Sequence, residues 1–179
     1  MKEFLDRLAS KDPVPGGGSV SALSGVLASC LGLMVCNLSN IQAESLEGLR
    51  SDLEELVEKD EEAFKEVMLA YKTKNKELKK EALKKASLVP LETSEKCLEV
   101  LEELKKISKE GKRSAITDIG VAALLAYSGI KGAVLNIKIN TKYIKDEVFV
   151  KDIEKKYSKI EKNGEALKND VLRIVEEFL

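Results

Sequence analysis

Apolar positions recur at steps of three and four along most of this chain, the spacing of a helix face rather than of a strand. Over 44–71, Leu46, Leu49, Leu53, Leu56, Asp60, Ala63, Val67 and Ala70 alternate those steps and predict a long helix with a coiled-coil-like seam. Near the C-terminus, Phe149, Ile153, Tyr157, Ile160, Gly164, Leu167, Val171, Ile174 and Phe178 predict a second seam, on a helix roughly 45 Å long. That seam can pack within the subunit or against a twin. A short helix is expected over 3–9, and another over 75–86 with Leu78, Ala82, Leu83 and Ala86 facing inward. Pro90 then predicts a kink or a break. Leu91, Ser94, Leu98 and Leu101 carry a helical face on to Glu110, and Gly111 supplies its stop.

Two stretches depart from this amphipathic pattern. No charged residue lies between Asp12 and Glu44, although 34% of the chain is charged. Val20–Leu38 is therefore apolar all round and reads as a buried central helix. Its length approaches a bilayer span, but Ser21, Ser24 and Ser29 interrupt it and Ser39 follows it, basic flanks are missing and no second comparable segment is expected, so no membrane partner is predicted. Ser21, Gly25, Ser29, Gly32 and Cys36 make a stripe of small side chains that admits another helix closely. The second stretch follows Asp118, where Gly120, Ala123, Ala126 and Gly129 step along a helix that can press against the first. Beyond it, Leu135, Ile137 and Ile139 alternate with polar residues as a strand would. With no second strand to pair with, a helix is predicted instead, placing Asn136 and Asn140 one turn apart on one face. There they can hydrogen-bond a heterocycle or tie down a helix end. The expected fold class is all-α: a multi-helix bundle with a buried small-residue central helix and long heptad-patterned helices. It forms one domain over residues 1–179, and the three seams suggest a homodimer.

Composition narrows the chemistry. A formal net charge of −1 gives no general attraction to nucleic acid. The absence of histidine excludes serine–histidine catalysis, histidine metal ligation and a histidine general base. Cys30, Cys36 and Cys97 form no C-x-x-C pair; buried, reduced thiols in an intracellular protein are expected, and no metal site. The acid-bearing N-terminus, Met1-Lys2-Glu3-Phe4-Leu5-Asp6-Arg7, is unlike a signal peptide. Carboxylates and backbone amides are left to carry any reaction.

The organising motif is Val14-Pro15-Gly16-Gly17-Gly18-Ser19. Three glycines free the backbone to turn and let a ligand approach, and Ser19 can cap a helix that starts at Val20. Such a turn at a helix N-terminus is either a seat for an anion or a capped connector. Asp60 sits where the seam calls for an apolar residue, so it is either a functional acid or a register device. Asp118 lies in a first helical turn beside Lys112 and Arg113. It either complements the helix dipole or serves as an ionised proton acceptor.

Taken in order, Pro13-x-Pro15-Gly16-Gly17-Gly18-Ser19-x-x-Ala22-x-x-Gly25, Met34-Val35-x-Asn37-Leu38, Asp60-x-x-Ala63-Phe64-x-x-Val67-Met68, Val89-Pro90-Leu91, Asp118-x-Gly120-Val121-Ala122-Ala123 and Asn136-x-x-x-Asn140 resemble the formiminotetrahydrofolate cyclodeaminase family and its methenyltetrahydrofolate cyclohydrolase relatives. The resemblance runs over nearly the whole chain. It implies a dimeric, cytoplasmic, all-helical folate enzyme without metal or permanently bound cofactor, whose substrate is a tetrahydrofolate derivative. In the cyclodeaminase reaction N10 of the folate attacks the formimino carbon on N5, closing a five-membered ring and releasing ammonia. The cyclohydrolase interconverts the same methenyl product with formyl-tetrahydrofolate, and a non-catalytic folate-binding or interaction module is the further alternative. By this resemblance Asp118 is the main proton-transfer residue and Asp60 an assisting acid. Pro15, Gly16, Gly17, Gly18 and Ser19 hold a polar part of the substrate, and Arg113, Asn136 and Asn140 contact the pterin or glutamate. Lys112, Arg113 and Ser114 depart from the asparagines that members often carry there, and a separate formiminotransferase is the implied supplier of substrate.

Overall fold

The seams written in the sequence become the buried faces of a helical bundle. The computed structural model describes residues 1–73 and 75–179. Its helices are α1 (Lys2–Leu8), α2 (Gly17–Ser39), α3 (Glu44–Lys72), α4 (Lys76–Glu110), α5 (Ile116–Thr141) and α6 (Glu147–Glu176), with a 3-10 turn at Arg113–Ala115. No strand occurs among the described residues, so the alternation around Ile137 belongs to a helix. Leu46, Leu49, Leu53 and Leu56 of α3 are buried. Ile153, Ile160, Gly164 and Val171 of α6 are buried against α4 and α5 of the same chain, which settles the partner of the C-terminal seam. The seam ends on Val175 rather than Ile174, because Val175 fills the space over Gly120.

The apolar helices α2 and α5 lie side by side on α4 and run antiparallel. Gly17 faces Asn136, Ser21 faces Gly132, and Gly25 faces Gly129. The small residues are there for closeness. A Cβ on Gly25 would stand 2.7 Å from Cys97 Sγ of α4, and one on Gly129 would stand 2.8 Å from the same sulfur and 2.9 Å from the Ser21 carbonyl oxygen. Gly120 does not share that face, since it turns toward Val175 of α6. The serines of α2 cost little, because Ser21, Ser24, Ser29 and Ser39 each donate to the carbonyl one turn back. Contrary to the sequence expectation, α5 is a second helix long and apolar enough for a bilayer span, and about half of each such helix is buried in the bundle.

Two further expectations change and one holds. Pro90 neither breaks nor ends a helix: α4 runs through it without interruption. Proline removes the N–H that would bond the Ala86 carbonyl, at a cost of about 3 kcal/mol in a helix interior. Here Asn140 Nδ2 donates to that carbonyl at 2.6 Å, so a side chain from α5 replaces the missing donor. Gly111 stops α4 with ordinary negative φ; it is glycine because a Cβ there would lie 2.9 Å from both the Ile107 oxygen and Val35 Cγ1. Cys36 and Cys97 are buried, but Cys30 is exposed on the outer face of α2. Burial pushes the Cys97 thiol up to about 12, which leaves it inert.

Candidate active site

Where the N-terminus of α2 meets α3, α4 and α5, the bundle opens into a cleft of about 210 Å³. Gly17 and Gly18 form one wall, Asp60, Phe64 and Val67 of α3 another, and Ala86, Asn136 and Asn140 close it. A larger hollow beside α1 lies open to solvent across charged surface residues.

The turn folds differently from its sequence reading. The helix begins at Gly17 with Gly16 at the N-cap, so Ser19 is already helical and does not cap. None of the glycines has positive φ. What requires glycine is space at Gly18, where a Cβ would stand 2.7 Å from Asp60 Oδ2. Ser19 Oγ donates to Asp60 Oδ2 at 2.8 Å, and the Ser19 backbone N–H lies toward the same carboxylate and favours its ionised form. The anion seated on this helix N-terminus is therefore the chain's own Asp60, delivered from α3. Burial pushes the Asp60 carboxyl above the usual carboxylate range; the Ser19 hydroxyl and backbone N–H pull it back and the neighbouring Glu61 charge adds to the rise.

Supports surround the carboxylate. Arg7 of α1 donates to Glu61 Oε2 at 2.7 Å and to the Val14 carbonyl at 3.3 Å, holding the loop against α3. Asn136 Nδ2 donates to the Gly132 carbonyl at 2.9 Å, and Asn140 is held by Ala86. Phe64 and Val67 were not singled out as site residues from sequence. Their spacing from Asp60, one and two turns along α3, places them on the same face. Arg7 and Ala86 carry no sequence signal, because their roles depend on residues far along the chain.

Gly16, Gly17, Gly18, Ser19, Asp60, Asn136 and Asn140 thus come together. Pro15 is buried but does not line the cleft. Asp118 and Arg113 are elsewhere. Because α5 runs antiparallel to α2, Asp118 lies about five turns, roughly 27 Å, from Asn136. Arg113 stacks on the Phe178 ring at 4.7 Å, beside the C-terminus. Within one chain neither reaches the cleft, and among the described residues that line it Asp60 is the one proton-carrying group. A carboxyl poised above its usual range, next to amides that accept and donate hydrogen bonds, suits proton transfer on a nitrogen heterocycle.

Comparison with known proteins finds relatives along most of the chain. The chain is 38% identical over 174 residues to the methenyltetrahydrofolate cyclohydrolase of Methylorubrum extorquens, covering 85% of this chain and 84% of that protein. It is 29% identical to the formimidoyltransferase-cyclodeaminase of Dictyostelium discoideum, covering 98% of this chain but 36% of that longer protein. The crystal structure of formiminotetrahydrofolate cyclodeaminase from Thermotoga maritima superposes with a TM-score of 0.94 at 30% identity, over 99% of this chain and 96% of that one. The formiminotransferase-cyclodeaminase family model matches residues 1–159, and the chain belongs to that family.

Proposed function

We propose that this protein is a folate one-carbon enzyme acting on the bridge between N5 and N10 of tetrahydrofolate. As a cyclodeaminase it converts 5-formiminotetrahydrofolate to 5,10-methenyltetrahydrofolate and ammonia. The observation that carries this reading is Asp60: a partly buried carboxyl raised above its usual range, set on the N-terminus of α2 and facing a cleft walled by amides. N10 attacks the carbon of the protonated formimino group and loses its own proton to Asp60 as the ring closes. Asp60 then returns that proton to the departing nitrogen, so one group serves as base and then as acid. The step balances with the chain's own residues and calls on no resident cofactor.

A second reading, methenyltetrahydrofolate cyclohydrolase, is favoured by the Methylorubrum relative, which aligns along most of both chains. Water then attacks the methenyl carbon and Asp60 takes its proton; Asp60 passes that proton to N5 as the carbon–N5 bond breaks, leaving the formyl group on N10 and releasing the hydroxyl proton to solvent. Supplying purified protein with formimino- and methenyl-tetrahydrofolate separately decides between them. Methenyl absorbance appearing with ammonia supports the first, decay of that absorbance without ammonia supports the second, and neither change defeats both. Asp60→Asn should lower the active rate by about 10²–10⁴-fold, the usual range for a general acid–base group, with the helical circular dichroism unchanged.

The formimino group would come from a separate formiminotransferase partner, a pairing of activities that the name of the Dictyostelium relative supports. A homodimer also belongs to this reading. Leu27, Met34 and Leu38 of α2 and Val121, Leu124 and Leu135 of α5 are exposed, and helical spacing turns them to the side away from α4. Such a contiguous apolar face on two adjacent helices favours a twofold contact with a second copy.

A further inference from the structure

We propose that Pro90 is a positioning residue for the cleft: by leaving the Ala86 carbonyl without its helical donor, it makes that carbonyl the anchor of the Asn140 amide and so fixes which atom Asn140 offers to the pterin end of the substrate. The inference rests on the folate reading above for its ligand, and on the hydrogen bonding of α4 for its mechanism.

Residue 90 of a helix ordinarily donates its N–H to the carbonyl of residue 86, and proline has none to give. Asn140 Nδ2 stands 2.6 Å from that oxygen. A carbonyl only accepts, so the nitrogen of Asn140 must face Ala86 and its oxygen is turned elsewhere. Pro90 is buried and does not line the cleft, whereas Ala86 and Asn140 do. Its influence is therefore relayed through Asn140. Asn136 is oriented the same way, its nitrogen committed to the Gly132 carbonyl at 2.9 Å. Each amide keeps an acceptor oxygen and one N–H for a ligand.

This fixed pair selects one end of the substrate. At about 210 Å³ the cleft is smaller than the roughly 300–1,000 Å³ that drug-sized ligands occupy, so it takes part of a folate rather than the whole. Among the described residues no lysine or arginine lines it, and a carboxylate tail would meet Asp60 uncompensated. A flat, uncharged ring edge that carries both N–H and C=O groups matches two oriented carboxamides. The pterin ring has that edge, and seating it there brings N5 toward Asp60.

The test uses Pro90→Ala, Asn140→Ala and the double variant, with steady-state kinetics, binding of a tetrahydropterin without a glutamate tail, and the Asn140 side-chain amide resonance. Alanine at 90 restores a donor for Ala86 and displaces Asn140. The expected result is a KM and a tetrahydropterin Kd raised about tenfold, the scale of one lost orienting hydrogen bond, with kcat within about twofold. The Asn140 resonance should shift, thermal stability should hold or rise, and the double variant should bind no more weakly than Asn140→Ala alone. An unmoved resonance with unchanged KM, or effects that simply add, would overturn the proposal. Should Pro90→Ala fail to fold, Asn140→Asp serves instead: it cannot donate to Ala86, and an unchanged KM there overturns the proposal equally. If the unmodified protein binds no folate or tetrahydropterin, the functional reading fails and the ligand part of this inference with it. The Asn140 resonance in Pro90→Ala still decides the anchoring.

Discussion

Asp60 and Ser19 show how little separates a structural from a chemical role at a single position. Burial raises the Asp60 carboxyl, so the folded chain holds that proton more tightly than the unfolded chain does. Its contribution to stability is accordingly greatest below the unfolded value and is lost as pH rises through the folded one. Activity runs in the opposite sense, since the base works when ionised. The acid limb of kcat/KM should therefore lie above the usual carboxylate range. Ser19→Ala removes a hydroxyl that favours the ionised form, and the limb should move to higher pH, as a pH–rate profile will check. If it moves down or stays, Ser19 does not tune Asp60. The sequence made Asp60 conspicuous as an acid in an apolar seam. It could not tell that the acid would meet the start of α2, because its partner Ser19 lies on another helix 41 residues away along the chain.

Among the helices, periodicity was the dependable signal. A buried stripe must repeat with the helix, so the seams of α3 and α6 and the small-residue stripe of α2 could be read directly from residue spacing. Helix direction leaves no such trace. Whether α5 runs with α2 or against it depends on the connections between them, and that choice carries Asp118 and Arg113 away from the cleft. The continuity of α4 through Pro90 was hidden for a similar reason, its missing donor being replaced from α5, 54 residues away. Close approach at this level can be tested with two glycines. Gly129→Ala should destabilise the fold by about 1–3 kcal/mol, because its Cβ would press on the Ser21 carbonyl and Cys97. Gly48→Ala meets nothing within 4 Å on α3 and should stabilise by roughly 0.5–1 kcal/mol. Urea unfolding of both variants checks the pair; equal effects would mean that the glycines are not there for contact.

Across the whole molecule, the two most apolar helices are covered on one side only. In the bundle α2 and α5 rest on α4, and Leu27, Met34, Val121 and Leu124 remain exposed. If that face pairs two copies, Leu27→Glu combined with Leu124→Glu should give monomers by sedimentation velocity, while the unmodified chain sediments as a dimer. An unmodified chain that is monomeric at micromolar concentration would defeat the pairing. Cys30 stands on the same side of α2, between Leu27 and Met34, and is the exposed thiol of the three. It therefore works as a built-in gauge of association: a maleimide dye would tag it quickly in separated chains and slowly once a neighbour shields it.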